Sequence, residues 1–215
     1  MNGLQISRRF CLMLPVLLGI SPVAAQAKPV RMVALGDSLT AGYGLPASAA
    51  FPSVLARVLR QRGHAVAIEN AGVSGDTASA GRDRVDWSVS DGTELVIVAL
   101  GANDSLRGID VKITHMALDE IITRLKDRKM SVLLAGMLAP PNNGPDYGRD
   151  FKAMYETLAA KHNLPLYPFF LDGVAGIPRL NQPDQLHPTA EGVEEMVRRM
   201  SDFVETGVKA VLSSR

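Results

Sequence analysis

Short aliphatic runs alternate along this chain with stretches of helical periodicity, and that alternation restricts the fold more than any other feature. The strand candidates are Val30 to Leu35, Ala65 to Glu69, Glu94 to Leu100, Ser131 to Gly136 and a short Pro165 to Tyr167. Between them lie helix candidates. Phe51 to Gln61 carries Val54, Leu55, Val58 and Leu59 on one face and stops before Gly63, Lys112 to Arg128 carries Leu118, Ile121, Ile122 and Leu125, and a third covers Tyr147 to Lys161. The last runs from about Thr189 towards Val211, with Val193, Met196, Val197, Met200, Phe203 and Val204 on one stripe. Parallel strands need long crossovers, usually helical, so the order predicts an α/β protein whose parallel sheet is covered by helices on both faces. Thr77 to Ser90 reads as partly helical, with a weak pattern.

Met1 to Ala27 has the layout of an export signal. Arg8 and Arg9 precede an apolar core from Phe10 to Ile20, and Ala25-Gln26-Ala27 matches the small-residue cleavage pattern. The apolar run is short for a bilayer span, so the expectation is a cleaved signal at residues 1–27, a single domain at residues 28–215, and a periplasmic or secreted protein without a stable membrane anchor. The residues after the arginine pair fit the twin-arginine pattern poorly, which favours the ordinary secretory route. Cys11 is the only cysteine and lies within the signal, so neither a disulfide nor a cysteine nucleophile is expected in the mature chain. Loss of Arg8 and Arg9 takes the 23 basic residues to 21 against 22 acidic ones, a net charge of −1 with histidines neutral. That balance gives no reason to expect nucleic acid as a partner. A monomer acting on a small molecule is the default.

The strand candidates end in clusters that carry chemistry. The first ends at Gly36-Asp37-Ser38-Leu39, the second at Asn70-Ala71-Gly72-Val73-Ser74-Gly75 and the third at Gly101-Ala102-Asn103-Asp104. Asp184-Gln185-Leu186-His187-Pro188 precedes the last helix. In a parallel sheet these clusters converge at the carboxyl edge, where open α/β sheets bind ligands. Taken singly, each has a plain structural reading. Gly36 to Ser38 makes an ordinary turn or cap, Gly72 a turn, and Asn103 a side chain bonding its own loop. Thr40 also stands where the nucleophile elbow of α/β-hydrolases has its second glycine. His64, His115 and His162 read as solvated or capping residues, and Gly42 to Ala47 as a loop rather than a dinucleotide fingerprint, because Pro46 sits awkwardly in it. Acidic and histidine residues are too scattered for a metal site, and the chemistry needs no cofactor.

Taken together, the clusters resemble the four blocks of the SGNH (GDSL) hydrolase family. They occur in order: Ser38 in Gly-Asp-Ser-Leu, Gly72 in Asn-Ala-Gly, Asn103 in Gly-Ala-Asn-Asp, and Asp184 with His187 in Asp-x-x-His-Pro. The set spans nearly the whole mature chain and is most similar to the bacterial thioesterase I, lysophospholipase and arylesterase branch. Pro140 to Pro145 also resembles that branch, with Asn143 where its members often have tyrosine. The resemblance implies a three-layer, flavodoxin-like α/β sandwich with a five-stranded parallel sheet. It also implies Ser38 as nucleophile, His187 as base, Asp184 as the acid that orients it, and an oxyanion hole of the Ser38 and Gly72 amides with the Asn103 side chain.

A serine hydroxyl is a poor nucleophile until a base takes its proton, and a carboxylate fixes that base's tautomer and orientation. Asp184 and His187, three residues apart, can pair by local geometry, whereas Ser38 must come from the far end of the chain. The expected reaction is hydrolysis of aryl and short-to-medium acyl esters, with acyl thioesters and lysophospholipids as further candidates. Met137 to Pro141 and Ile177 to Leu180 are expected to border the crevice with apolar walls. A carbohydrate O-acetylesterase and a non-catalytic exported binding protein are the competing readings.

Overall fold

A computed structural model describes residues 28–215. The signal reading of Met1 to Ala27 therefore falls outside the described residues. The strands are β1 (Val30–Gly36), β2 (Val66–Gly72), β3 (Leu95–Ala99), β4 (Ser131–Ala135) and β5 (Leu166–Tyr167). They form one sheet in the order β2-β1-β3-β4-β5, parallel throughout. β3 is buried along its whole length and reads Leu-Val-Ile-Val-Ala, as a central parallel strand covered on both faces must. β2 lies at an edge, and its exposed Glu69 and Asn70 follow from that position.

Seven α-helices are described: α1 (Ser38–Ala41), α2 (Phe51–Gln61), α3 (Ala78–Ser88), α4 (Ala102–Leu106), α5 (Val111–Asp127), α6 (Pro145–His162) and α7 (Ala190–Ser213). α2 and α7 pack together on one side of the sheet, and α3, α5 and α6 form a second layer. The α7 stripe of Val193, Met196, Val197, Met200, Val204, Val208 and Val211 is buried, as its spacing of three and four requires. α2 ends as its sequence suggests. Gly63 takes φ 90, and the Gly63 and His64 amides donate back to the Arg60 and Leu59 carbonyls. No helix among the described residues is long and apolar enough to cross a membrane.

Element boundaries differ from the sequence reading in two places that matter. β2 continues through Asn70 and Ala71 to Gly72, which pairs with Gly36, so the cluster read as a post-strand loop is half strand. The periodicity had not resolved α3, because its buried stripe consists of Ala78, Gly81, Arg84 and Val85, small or charged residues rather than large aliphatics. A Cβ at Gly81 would stand 2.3 Å from Leu100 Cδ1, so glycine is what lets this helix approach the sheet. From β1 the chain crosses to β2 on one side and then back over β1 to β3. The carboxyl ends of β1 and β3 thus flank the point where the strand order reverses, the usual ligand crevice of such sheets.

Candidate active site

Ser38 is the first residue of α1, directly beyond the carboxyl end of β1. Asp37 caps that helix, its Oδ1 accepting from the Leu39 amide at 3.0 Å. The serine therefore does not act as the cap, and its hydroxyl is free to face the crevice. As a first helical residue it has no preceding turn to accept its amide.

His187 arrives from the other end of the chain on a loop closed by its own backbone. The Gln182 amide donates to the His187 carbonyl at 2.7 Å, and Asn181 and Pro188 form an antiparallel bridge. Asp184 organises the turn between them: its Oδ1 accepts from the Leu186 and His187 amides at 2.9 and 3.0 Å. Its Oδ2 lies 2.7 Å from His187 Nδ1, and His187 Nε2 lies 2.8 Å from Ser38 Oγ. One residue thus shapes the loop and orients the ring. The His187 hydrogen bonds hold the Asp184 carboxyl down at about 2, so it is ionised wherever an imidazole titrates. With Oδ2 as acceptor, the proton of neutral His187 sits on Nδ1 and leaves Nε2 to accept from the serine. The Tyr43 ring lies against the imidazole at a 38° tilt with ring centroids 4.6 Å apart, and its carbonyl accepts from Gln182 Nε2 at 2.7 Å.

Asn103 lies on α4, a short helix that begins after Gly101 at the end of β3. It donates one amide hydrogen from Nδ2 to the Asp76 carbonyl at 3.0 Å, which leaves the other for a ligand. Ser38, Asn103 and His187 line one cavity of about 370 Å³.

Residues 34–194 match the GDSL-like lipase/acylhydrolase family model. The chain belongs to that family. It is 37% identical over 169 residues to an arylesterase of Vibrio mimicus, covering 78% of this chain and 84% of the relative. It is 34% identical over 179 residues to thioesterase 1/protease 1/lysophospholipase L1 of Escherichia coli K12, covering 83% and 85%. Among solved structures it is similar to AlinE4, described as an SGNH-hydrolase family esterase, with TM-score 0.72, 45% identity, and 85% and 98% of the two chains covered. These relatives make the protein an ester-hydrolysing serine hydrolase of the esterase, thioesterase and lysophospholipase type.

Within this GDSL hydrolase, one expected residue is placed away from its expected role. The Gly72 amide donates to Asn70 Oδ1 at 3.0 Å, and a Cβ on Gly72 would stand 2.3 Å from the Ala41 nitrogen. Its glycine is needed where β2 meets α1, and its donor is already used. Gly75 is the glycine of the loop proper, exposed and at φ 89, one residue before the carbonyl that holds Asn103.

The cavity walls also differ in part from expectation. Met137, Leu138, Ala139 and Pro140 border it as the sequence suggests. Pro178–Leu180 instead forms a 3-10 turn packed on α7, and the opposite wall comes from Phe169, Leu171, Ala175 and Leu186. Leu39 and Leu106 complete an apolar lining whose polar exceptions include Asn181 and Gln185. Asn143, at the position often held by tyrosine in the branch, donates to the Ser105 carbonyl at 2.5 Å and ties the proline-rich loop to α4.

Two buried carboxyls beside the site escaped sequence reasoning. Asp104 is fully buried, accepting from the Ala78 amide at 2.8 Å and the Thr114 hydroxyl at 3.0 Å, so it joins α4 to α3 and α5. Asp37 is 1% exposed, and burial pushes its carboxyl up to about 7, against the opposing Leu39 hydrogen bond. Its Oδ2 has no partner among the described residues. The only sequence signal for either was adjacency to Ser38 or Asn103. The other histidines lie elsewhere: His64 beside Glu205, His162 at the end of α6 beside Asp119, and His115 within α5.

Proposed function

We propose that this protein is an exported esterase that works through an acyl-serine intermediate on Ser38 and prefers aryl and short-to-medium acyl esters, with acyl thioesters and lysophospholipids as further substrates. The observation that carries the mechanism is the unbroken chain from Ser38 Oγ through both nitrogens of His187 to Asp184. His187 Nε2 takes the serine proton as Oγ attacks the acyl carbon, and Asp184 stabilises the imidazolium. The oxyanion is received by the Ser38 amide, the free hydrogen of Asn103 Nδ2, and the Gly75 amide in place of Gly72. Collapse expels the alcohol or thiol, which takes the proton from His187. Water activated by the same imidazole then hydrolyses the acyl-enzyme. Support from relatives is consistent: the chain is 28% identical, with TM-score 0.79 over 84% of its length, to a psychrotrophic esterase whose structure is described as inhibited by monoethylphosphonate.

The substrate reading rests on the cavity lining. Walls of leucine, methionine, proline and phenylalanine suit an acyl or aryl group, whereas a sugar needs hydrogen-bonding partners for its hydroxyls. Each methylene buried contributes about 0.8 kcal/mol, so kcat/KM should rise from acetate to longer acyl esters until the cavity is filled. Two experiments test the whole. A phosphonate should label Ser38, and Ser38→Ala should abolish both labelling and hydrolysis with the fold intact; labelling at Ser74 refutes the nucleophile. Comparison of a p-nitrophenyl ester series with acetylated xylan tests the substrate, and preference for the polysaccharide would establish the O-acetylesterase reading instead. Export is supported by the residues 1–27 pattern and is tested by fractionating cells that express the full chain.

A further inference from the structure

Arg84 is 6% exposed on the buried face of α3, a costly place for a guanidinium unless its donors are satisfied. They are satisfied, and two of the three partners belong to segments that frame the catalytic centre. Nε donates to Asp76 Oδ2 at 2.6 Å, Nη2 to the Gly36 carbonyl at 2.8 Å and Nη1 to Ser88 Oγ at 3.0 Å. Gly36 is the last residue of β1, two before Ser38, and its carbonyl also accepts from the Val73 amide at 3.0 Å. Asp76 closes the loop that begins at Val73, and its own carbonyl holds Asn103 Nδ2 at 3.0 Å. One planar cation therefore joins the strand that delivers the nucleophile to the loop that orients the Asn103 amide.

We propose that the Arg84–Asp76 pair is the positioning device of the oxyanion hole, holding the Val73–Asp76 loop and, through it, Asn103 at a set distance from Ser38. The proposal rests on the oxyanion role given above to Asn103. Arg84 touches neither substrate nor reacting atoms; it acts through Asp76. Preorganised donors stabilise the transition state only if they stand where the oxyanion forms, and a displacement of about 1 Å far from the chemistry can cost ~10² in rate. The fork geometry matters as much as the charge. A lysine in this position is a point charge on a flexible stem and cannot hold Asp76 and the Gly36 carbonyl at a fixed mutual angle. A pair present only for stability would be replaceable by apolar side chains of like volume, and its loss would leave the chemistry of folded molecules unchanged.

The experiment compares Arg84→Lys, Asp76→Asn and Asn103→Ala, singly and as the Arg84→Lys/Asn103→Ala double variant, on a p-nitrophenyl ester, with thermal unfolding followed in parallel. Arg84→Lys should lower kcat by roughly 10- to 100-fold with KM changed little, and should weaken a boronic-acid analogue of the tetrahedral intermediate by a similar factor. Asp76→Asn, which keeps the carbonyl and loses the charge, should fall between parent and Arg84→Lys. In the double variant the loss of kcat should be smaller than the product of the two single losses, because one of the donors being positioned is gone while the Gly75 amide remains. A lower melting temperature with unchanged kcat, losses that multiply in the double variant, or failure of both Arg84→Lys and Asp76→Asn to fold makes the pair merely structural and overturns the proposal alone. Unchanged turnover in Asn103→Ala overturns the oxyanion reading, and the positioning role with it.

Discussion

Asp184 and Asp37 show how the same side chain is driven in opposite directions within one site. The Asp184 carboxylate is held at about 2 by its hydrogen bonds to His187 and the loop amides. Any loss of activity at pH values above that therefore does not come from protonation of Asp184. Asp184→Asn keeps the shape and loses control of the tautomer, so turnover should fall by ~10⁴, as in comparable triads; near-parental rates would mean that another group orients the ring. Asp37, raised to about 7 by burial, works against the fold as pH rises. Between 3.8 and about 7 the native state keeps a proton that the unfolded chain releases, so stability falls with rising pH across that window. Asp37→Asn, whose amide oxygen can still accept from Leu39, should flatten that slope. Its gain is absent below pH 4 and of the order of 4 kcal/mol at most above pH 7. Thermal melts of both proteins from pH 4 to 8 measure it, and parallel curves would show that Asp37 is not protonated in the native state.

At the scale of elements, the site is built where strand ends change into tight turns, and glycine decides which turns are possible. Gly72 ends β2 against α1, where any Cβ meets the Ala41 backbone at 2.3 Å. Gly72→Ala should therefore shift α1 and lower the melting temperature together with turnover. Gly75 has only Arg107 Nη2 near its hypothetical Cβ, at 3.9 Å, and its constraint is φ 89 instead. Gly75→Ala should cost roughly 1–2 kcal/mol of backbone strain and, if its amide serves the oxyanion, lower kcat beyond what partial unfolding explains. The two variants thus separate a packing glycine from a donor glycine, and a Gly72→Ala protein that melts like the parent would refute the assignment. α3 carries the complementary lesson: a helix whose buried face holds Gly81 and Arg84 serves placement more than core volume.

At the scale of the whole fold, Arg215 fastens the last helix to the segment leading into β1 and to Glu94 beside β3. Arg215 donates to Glu94 Oε1 and Oε2 at 2.9 and 2.7 Å and to the carbonyls of Lys28 and Pro29 at 2.9 and 3.2 Å. On the α7 surface, Arg198 and Arg199 hold Glu195 at about 2, and Lys209, Arg62 and His64 hold Glu205 at about 2. Folded values below the ordinary 4.5 mean that these contacts stabilise fully above that pH and lose their effect as pH falls through about 2. The urea midpoint should therefore decline between pH 4.5 and 2. Raised salt should shrink the decline, because these pairs lie at the surface. A decline that salt leaves unchanged would assign acid lability to buried groups instead.

The alternation of aliphatic runs and helical stripes determined the α/β class, the parallel sheet and most of its elements, because burial on both faces leaves its mark residue by residue in β3 and α7. The four polar clusters, through their resemblance to the family's blocks, singled out Ser38, Gly72, Asn103, Asp184 and His187 as candidates, and Asp184 and His187 lie close enough in sequence for local geometry to pair them. Tertiary structure decided the rest. Ser38 and His187 are 149 positions apart, and only the strand order and the closed loop after β5 bring their atoms to 2.8 Å. Whether Gly72 ends a strand or opens a loop depends on its pairing with Gly36, which no local pattern records. The wall from Phe169 to Ala175 and the reach of Arg84 to Gly36 are likewise relations between distant segments. Local preference can specify which residues enter a turn or a face. Which donor meets which acceptor across the sheet is set by packing alone.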